Sequence, residues 1–269
     1  MTRPTESHHS AADGVRVLVV VAHPDDEAFG CGSLMLHAKA AGAEVTVLCA
    51  TRGEAGEVTA GVAVPPAGLG ALREQELRDS AGVLGVDRVE LLDFLDSGME
   101  GGPAPGSLAA ASPTLVQAQV RRAATETGAD LLLSLDAADG HRDHAVVRDA
   151  AVAVGAELGL PVFLHCLLRS SMRRWAEHVI SVDPDSVYLR TLDLGTPDEQ
   201  VTHVLDTSAH RQRRWQAIRA HRTQTSPFDS LPEDIERLFL AQDHLIEVGS
   251  TRSELGQRVF GAPTAAGAR

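Results

Sequence analysis

The chain has 269 residues, 43% of them hydrophobic, with 37 acidic against 24 basic side chains and a formal net charge of −13. That is enough apolar material for one large α/β domain, and the acidic excess argues against nucleic acid or an anionic membrane as partner. No apolar run reaches the length of a membrane span and the first fourteen residues lack the apolar core of a signal peptide, so a cytoplasmic protein is expected.

In chain order, residues 1–14 are polar and expected to be disordered. Residues 17–22 are a continuous, mostly β-branched apolar run, expected as a strand buried on both faces. His23-Pro24-Asp25-Asp26-Glu27 follows, with Pro24 suited to the first turn of a helix. His23 and Asp26, three apart, face the same way on a helical turn while Asp25 points elsewhere. Two side chains can then share a cation and the third can handle a proton; the competing reading is a helix cap. A helix over 32–41, stopped by Gly42, leads into a strand over 45–50. A helix over 72–84 passes through Gly85 to a strand over 88–94, and a helix over 113–127 ends at Gly128 before a strand over 131–135.

A second polar cluster, Gly140-His141-Arg142-Asp143-His144, leaves that strand and opens a helix over 145–158, with a strand over 162–168 beyond. Both clusters thus sit at the carboxyl ends of strands, where open parallel sheets place ligands. The repeated strand–helix order predicts a single-domain, Rossmann-like α/β fold: a mostly parallel sheet with helices on both faces. Past residue 170 a short helix over 171–178, a strand over 201–205 and an amphipathic helix over 209–220 are expected to extend the same domain, which spans 15–255. Residues 256–269 read as a flexible tail. The long Gly/Ala/Pro-rich segments 54–70 and 98–112 leave strand ends and are expected to rim the site. Cys31, Cys49 and Cys166 are unclustered and read as reduced packing residues.

Three segments carry a family resemblance: AHPDDE at 22–27, GHRDH at 140–144 and AHRTQ at 220–224. They resemble the signatures of the LmbE/PIG-L zinc-dependent N-acetylglucosamine deacetylases over roughly residues 15–230. Arg73-Glu74-Gln75-Glu76-Leu77 and Asp96-Ser97-Gly98-Met99 resemble two smaller family elements. The resemblance implies one Zn2+ per chain held by His23, Asp26 and His144, with water in the open position. It makes Asp25 the general base and His141 a protonated partner of the oxyanion, with Asp143 as its anchor. A fourth metal ligand and a structural histidine remain alternatives for His141. Arg73 and Asp96 match positions that meet the sugar hydroxyls. His221 and Gln224 read as supporting groups, and Trp175 and Trp215 as packing residues.

The sequence departs from the family pattern at two places. Arg142 stands where proline is usual, and Asp139 where some sugar deacetylases carry a tyrosine that helps bind the oxyanion; an ionised carboxylate cannot donate a hydrogen bond. The implied reaction is removal of an acetyl or related acyl group from the glucosamine unit of a small-molecule glycoconjugate, in actinobacterial thiol or glycopeptide-type antibiotic biosynthesis. Cleavage of a glucosamine-linked thiol conjugate is the alternative. A non-catalytic metal- or sugar-binding module and a dinucleotide binder, the latter suggested by Gly30-Cys31-Gly32, belong to other classes. The oligomeric state is not readable.

Overall fold

A computed structural model describes residues 12, 14–183, 194–249 and 253–264. Its strands and helices alternate as β1 Arg16–Val21, α1 Asp26–Phe29, α2 Gly32–Ala40, β2 Glu44–Cys49, α3 Leu69–Leu84, β3 Arg88–Leu91, α4 Pro113–Thr127, β4 Leu131–Leu135, α5 Arg142–Leu158, β5 Val162–Cys166, α6 Arg169–Val182, β6 His203–Asp206, α7 Arg211–Ile218, α8 Glu233–Leu240, β7 Gln242–Val248 and α9 Glu254–Phe260. One seven-stranded sheet runs in the order β3-β2-β1-β4-β5-β7-β6. The five strands β3 to β5 are parallel, and β7 and β6 close one edge antiparallel.

The alternation of side chains along β1 explains the layering. Val17, Val19 and Val21 enter one apolar cluster with Leu34 and Met35 of α2 and Ala217 and Ile218 of α7. Leu18, Val20 and Ala22 enter a second with Val116 and Val120 of α4 and Val147 and Val154 of α5. Both faces are covered, as a continuous apolar strand requires. Ser112 caps α4 by accepting the Leu115 N–H, with Pro113 at the first helical position, and Gly85 and Gly128 end α3 and α4 at φ of 77° and 61°. These are the left-handed stops that the sequence places there. All three cysteines are free and buried. Among the described residues no helix is long and apolar enough to cross a membrane.

Two expected boundaries change. Strand β7 had no counterpart among the expected elements, because Gln242, Asp243 and His244 interrupt its apolar pattern; it pairs with β5 from Val162↔Val248 to Cys166↔His244. The domain also continues past 255: Ser253 caps α9 by accepting the Gly256 N–H, and Val259 and Phe260 are buried. Phe260 lies 5.0 Å from Phe163, centroid to centroid. At the other end, Ala12 is buried and donates its N–H to Ala41 O at 2.8 Å, while residues 1–11 and 13 lie outside the described residues.

Arg214 of α7, 1% exposed, ties the late chain to the early one. Its guanidinium donates to the carbonyls of Ala28, Phe29 and Gly30 at the end of α1, to Ser33 Oγ and to Phe239 O, and pairs with Asp243 of β7 at 3.3 Å. Asp243 also accepts from Thr207 Oγ1 at 2.5 Å and faces His165 Nε2 at 3.3 Å. Burial works to raise the Asp243 pKa, but Arg214 and His165 prevail and hold it at about 2.

Candidate metal centre and active site

Strands β1 and β4 are adjacent and parallel, so the loops leaving their carboxyl ends meet; they carry His23 to Asp26 and Asp139 to His144. Asp26 Oδ2 accepts the N–H groups of Ala22 and His23 at 3.0 and 2.8 Å. That anchors the carboxylate and leaves Oδ1 3.1 Å from His144 Nε2. His23 presents Nδ1 toward Asp26 at 3.7 Å. The three expected ligands therefore converge. Each imidazole is also held from behind by a carboxylate: His23 Nε2 lies 3.2 Å from Asp143 Oδ2, and His144 Nδ1 lies 2.5 Å from Asp139 Oδ2. Such carboxylates fix the tautomer so that the other ring nitrogen is free for a metal. Burial disfavours a charged His23, yet Asp143, Asp96 and Asp26 raise it to about 9.

His141 stands beside this set, its ring 4.6 Å from His23 and 4.8 Å from His144. Ring nitrogens of His23, His141 and His144 lie within 4.8 Å of one another, so the alternative of His141 as a ligand keeps a geometric basis. The expected anchoring by the Asp143 carboxylate is corrected. His141 caps α5, with Nδ1 accepting the Asp143 backbone N–H at 3.1 Å, while the Asp143 carboxylate turns to His23 and to the Ser97 N–H. Burial lowers the His141 pKa and the neighbouring His23 and His144 lower it further, the opposite of the expected rise. A ring that accepts at Nδ1 carries its proton at Nε2 when neutral.

Asp25 occupies a strained turn, with φ 121° and ψ −31°, a conformation that costs a non-glycine residue about 1–3 kcal/mol. Its N–H donates to Glu27 Oε2 at 2.9 Å. Arg73 of α3 clamps the same turn by donating to Pro24 O, to Gly53 O at 2.6 Å and to Asp25 Oδ2 at 3.0 Å. A Cβ at Gly53 or Gly56 would collide with this guanidinium, which is why that loop needs glycine at both places. Burial pushes the Asp25 carboxyl up to about 6, with Arg73 opposing and Asp26 adding to the rise. Side-chain exposure of 16% leaves Asp25 open to the cavity in front of it.

That cavity encloses about 420 Å3. It is lined by residues of the two histidine–aspartate clusters with Arg73, Asp96 and Gln224, and by apolar side chains that include Phe29, Leu135 and Phe228, Met172 and Trp175 of α6, and Phe239 of α8. Arg73 and Asp96, expected at the sugar, do line it. Arg73 is 2% exposed, however, and occupied by the Asp25 turn, and Asp96 faces His23 Nε2 at 3.5 Å and accepts the Gly98 N–H. Of the two long segments expected at the rim, 54–70 contributes Gly56 and 98–112 contributes nothing among the described residues. The first docks instead on the AHRTQ element through Thr59 N–H to Thr223 O and Gln224 Nε2 to Glu57 O. The second closes back against the chain just before it through a Leu95↔Ser107 bridge, with Leu108 buried.

The family model for GlcNAc-PI de-N-acetylase, PIG-L, matches residues 18–154, the segment that holds both clusters. The chain belongs to the PIG-L family. A 1D-myo-inositol 2-acetamido-2-deoxy-α-D-glucopyranoside deacetylase of Mycolicibacterium gilvum is 32% identical to this PIG-L member, over 90% of this chain and 93% of its own. Among solved structures, the A40926 pseudoaglycone deacetylase Dbv21 shares the fold at a TM-score of 0.60 with 18% identity, covering 89% of this chain and 100% of that one. The 4-carboxy-2-hydroxymuconate hydratase GalB of Pseudomonas putida shares it at 0.59 with 15% identity, over 89% and 98%. One fold thus serves two reactions, and the chemistry rests on the side chains.

Three residues of this PIG-L member went unrecognised in the sequence, or were misread. Glu27, fully buried, accepts from Ser80 Oγ at 2.5 Å and lies 2.6 Å from His221 Nε2, linking the first and third motifs behind Asp25. Glu76 does the same for Thr223, accepting its N–H and hydroxyl at 3.1 and 2.6 Å. The available signal was an acid in the first motif without a role and a histidine in the third that was read as a supporting group without a partner. Asp139, read only as a missing hydrogen-bond donor, is the anchor of His144. Trp175 packs against the core as expected and also lines the cavity.

Proposed function

We propose that this protein is a zinc-dependent hydrolase that removes the N-acyl group from a glucosamine unit of a small glycoconjugate, with His23, Asp26 and His144 as the metal ligands. The observation that carries this reading is the pair of imidazoles, each backed by its own carboxylate, converging with Oδ1 of Asp26 beside a raised carboxyl, Asp25. Three mixed His/Asp donors and an open side fit a catalytic zinc. The family and the activity of the Mycolicibacterium gilvum relative support the sugar amide as substrate.

A cation held there supplies Lewis-acid polarisation of the amide carbonyl and makes water more acidic. The chain's own residues supply the rest. Asp25, ionised above about pH 6, takes a proton from the attacking water and delivers it to the leaving nitrogen, so that an amide and water become a carboxylic acid and an amine. Arg73 and the strained turn hold that carboxylate in place. His141 donates from Nε2 to the oxygen that gains negative charge; its Nδ1 is fixed by the Asp143 N–H.

Two measurements on the purified protein test this together: metal content, and amine release from N-acetylglucosaminyl compounds. One zinc per chain with amine release is expected. Metal binding without turnover on any N-acyl glucosamine would show a binding module instead.

A further inference from the structure

Resting on that reading, we propose that Glu27 and His221 are positioning residues for the general base: they hold the Asp25 backbone in the strained turn that presents its carboxylate to the cavity. Asp25 stands at the N-terminus of α1, yet its side chain makes no capping hydrogen bond. An aspartate there ordinarily folds its carboxylate over the first helical N–H groups, while a glutamate further along the first turn reaches back to the N–H of the capping residue. Here only the return half is made: Glu27 Oε2 accepts the Asp25 N–H at 2.9 Å. The carboxylate that would complete the motif is released to line the cavity.

Glu27 is itself fixed through its other oxygen. Oε1 accepts from Ser80 Oγ at 2.5 Å and faces His221 Nε2 at 2.6 Å; a carboxylate only accepts, so the ring carries a proton there. His221 Nδ1 is buried without a hydrogen-bond partner among the described residues. An unpaired buried nitrogen is a cost that an apolar side chain of similar size avoids, so space filling does not account for the imidazole, and its contact with Glu27 does. On α3, Arg73, Glu76 and Ser80 follow one another at three- and four-residue spacing and share a face; all three are buried. Arg73 donates to Pro24 O and to Asp25 Oδ2, Ser80 donates to Glu27, and Glu76 accepts the Thr223 N–H and hydroxyl. One helix face thus frames the base, the acid behind it and the motif that carries His221. Glu27 and His221 are 0% and 1% exposed, and among the described residues neither lines the cavity, so they act on the reaction only through Asp25. The strain of a φ of 121° and a charge-assisted hydrogen bond are similar in size. Losing the Glu27 acceptor therefore lets the turn relax and moves the Asp25 carboxylate off its place.

Glu27→Leu and His221→Leu in the full-length protein remove these contacts, whereas Glu27→Gln keeps an acceptor for the Asp25 N–H and His221→Gln keeps a donor for Glu27. One readout needs neither metal nor substrate: exchange of the Asp25 amide hydrogen, followed by NMR, should be on the order of tenfold faster in the Leu variants and close to the parent in the Gln variants. The other is amine release from N-acetylglucosamine by the zinc-loaded protein. There kcat should fall on the order of 100-fold in the Leu variants, the scale of a small misplacement of a reacting group, with KM and zinc affinity unchanged, and the Gln variants should recover most of the loss. Parental exchange and kcat in a folded Leu variant overturn the proposal, as does an equal loss in the Leu and Gln variants, or zinc lost in step with kcat. Thermal melts report folding; if neither Leu variant folds, the pair is a folding element and the proposal falls too. If the parent hydrolyses no N-acyl glucosamine, the hydrolase reading fails and amide exchange alone decides the positioning. If the parent releases amine and the folded Leu variants match it, the positioning fails and the hydrolase reading stands.

Discussion

Removing the Asp139 carboxylate should weaken metal binding without removing a ligand. Asp139 Oδ2 lies 2.5 Å from His144 Nδ1, and its other oxygen accepts the His141 N–H at 3.0 Å, so one side chain fixes both the ring and the turn before it. Its side chain is 34% exposed, so water screens the contact only in part. Carboxylates behind a ligating histidine typically account for 10- to 100-fold in metal affinity, which is about 1.4–2.7 kcal/mol. Asp139→Ala should lose that amount in a zinc competition titration against a chromogenic chelator. Asp139→Asn keeps an acceptor for the ring N–H and loses only charge, so a loss below about tenfold is expected. Asp143 backs the other imidazole, His23. The two anchors hold different rings of one candidate metal site and are linked through His141, so the losses in Asp139→Ala and Asp143→Ala should depart from additivity in the double variant. Zinc affinity within twofold of the parent in Asp139→Ala would refute the anchoring argument.

Three further outcomes follow from the same geometry. Asp25→Asn should retain zinc and lose turnover. In the parent, kcat/KM should fall as pH drops below about 6, where Asp25 protonates, and an unshifted acid limb in Asp25→Asn would remove it as the base. His141→Ala should keep its metal while kcat falls about 10- to 1000-fold, the scale of a lost oxyanion donor; a zinc-depleted variant would instead make His141 a ligand. Folded Asp243 has its pKa depressed to about 2, below the ordinary aspartate value of about 3.9. It therefore contributes stability above about pH 4, on the order of 2 kcal/mol, that is lost as pH falls toward 2. Denaturant titrations at pH 7 and pH 3 should show a smaller difference in Asp243→Asn, and an equal difference would count against the Arg214 pairing.

The sheet from β3 to β5 was legible because its strands are apolar runs and its helices end at glycines such as Gly85 and Gly128. Strand β7 was not, since Asp243 and His244 break the pattern and their burial is compensated only by Arg214 and neighbouring strands, which are distant in sequence. Spacing put His23 and Asp26 on one face of a turn, and the full candidate ligand set with His144 came from the family resemblance. Which carboxylate backs which imidazole could not be read from either: Asp143 follows His141 closely in sequence, yet its carboxylate turns to His23, 120 positions away. The rim was misjudged for a related reason. Length and composition marked 54–70 and 98–112, whereas α6 and α8 contribute Met172, Trp175 and Phe239 to the cavity lining; the helix α8 was not expected, and Trp175 was read only as packing.

Arg214 ties the turn beside the candidate ligands to a much later part of the chain. It grips the carbonyls of residues 28–30, one turn beyond Asp26. A ribosome that has finished both aspartate-rich motifs has therefore not yet delivered the cation that secures the end of that turn. Its partner Asp243 arrives later still. The end of that turn is thus held by residues from α7 and the antiparallel edge, so the local geometry beside Asp26 depends on contacts made across the whole fold.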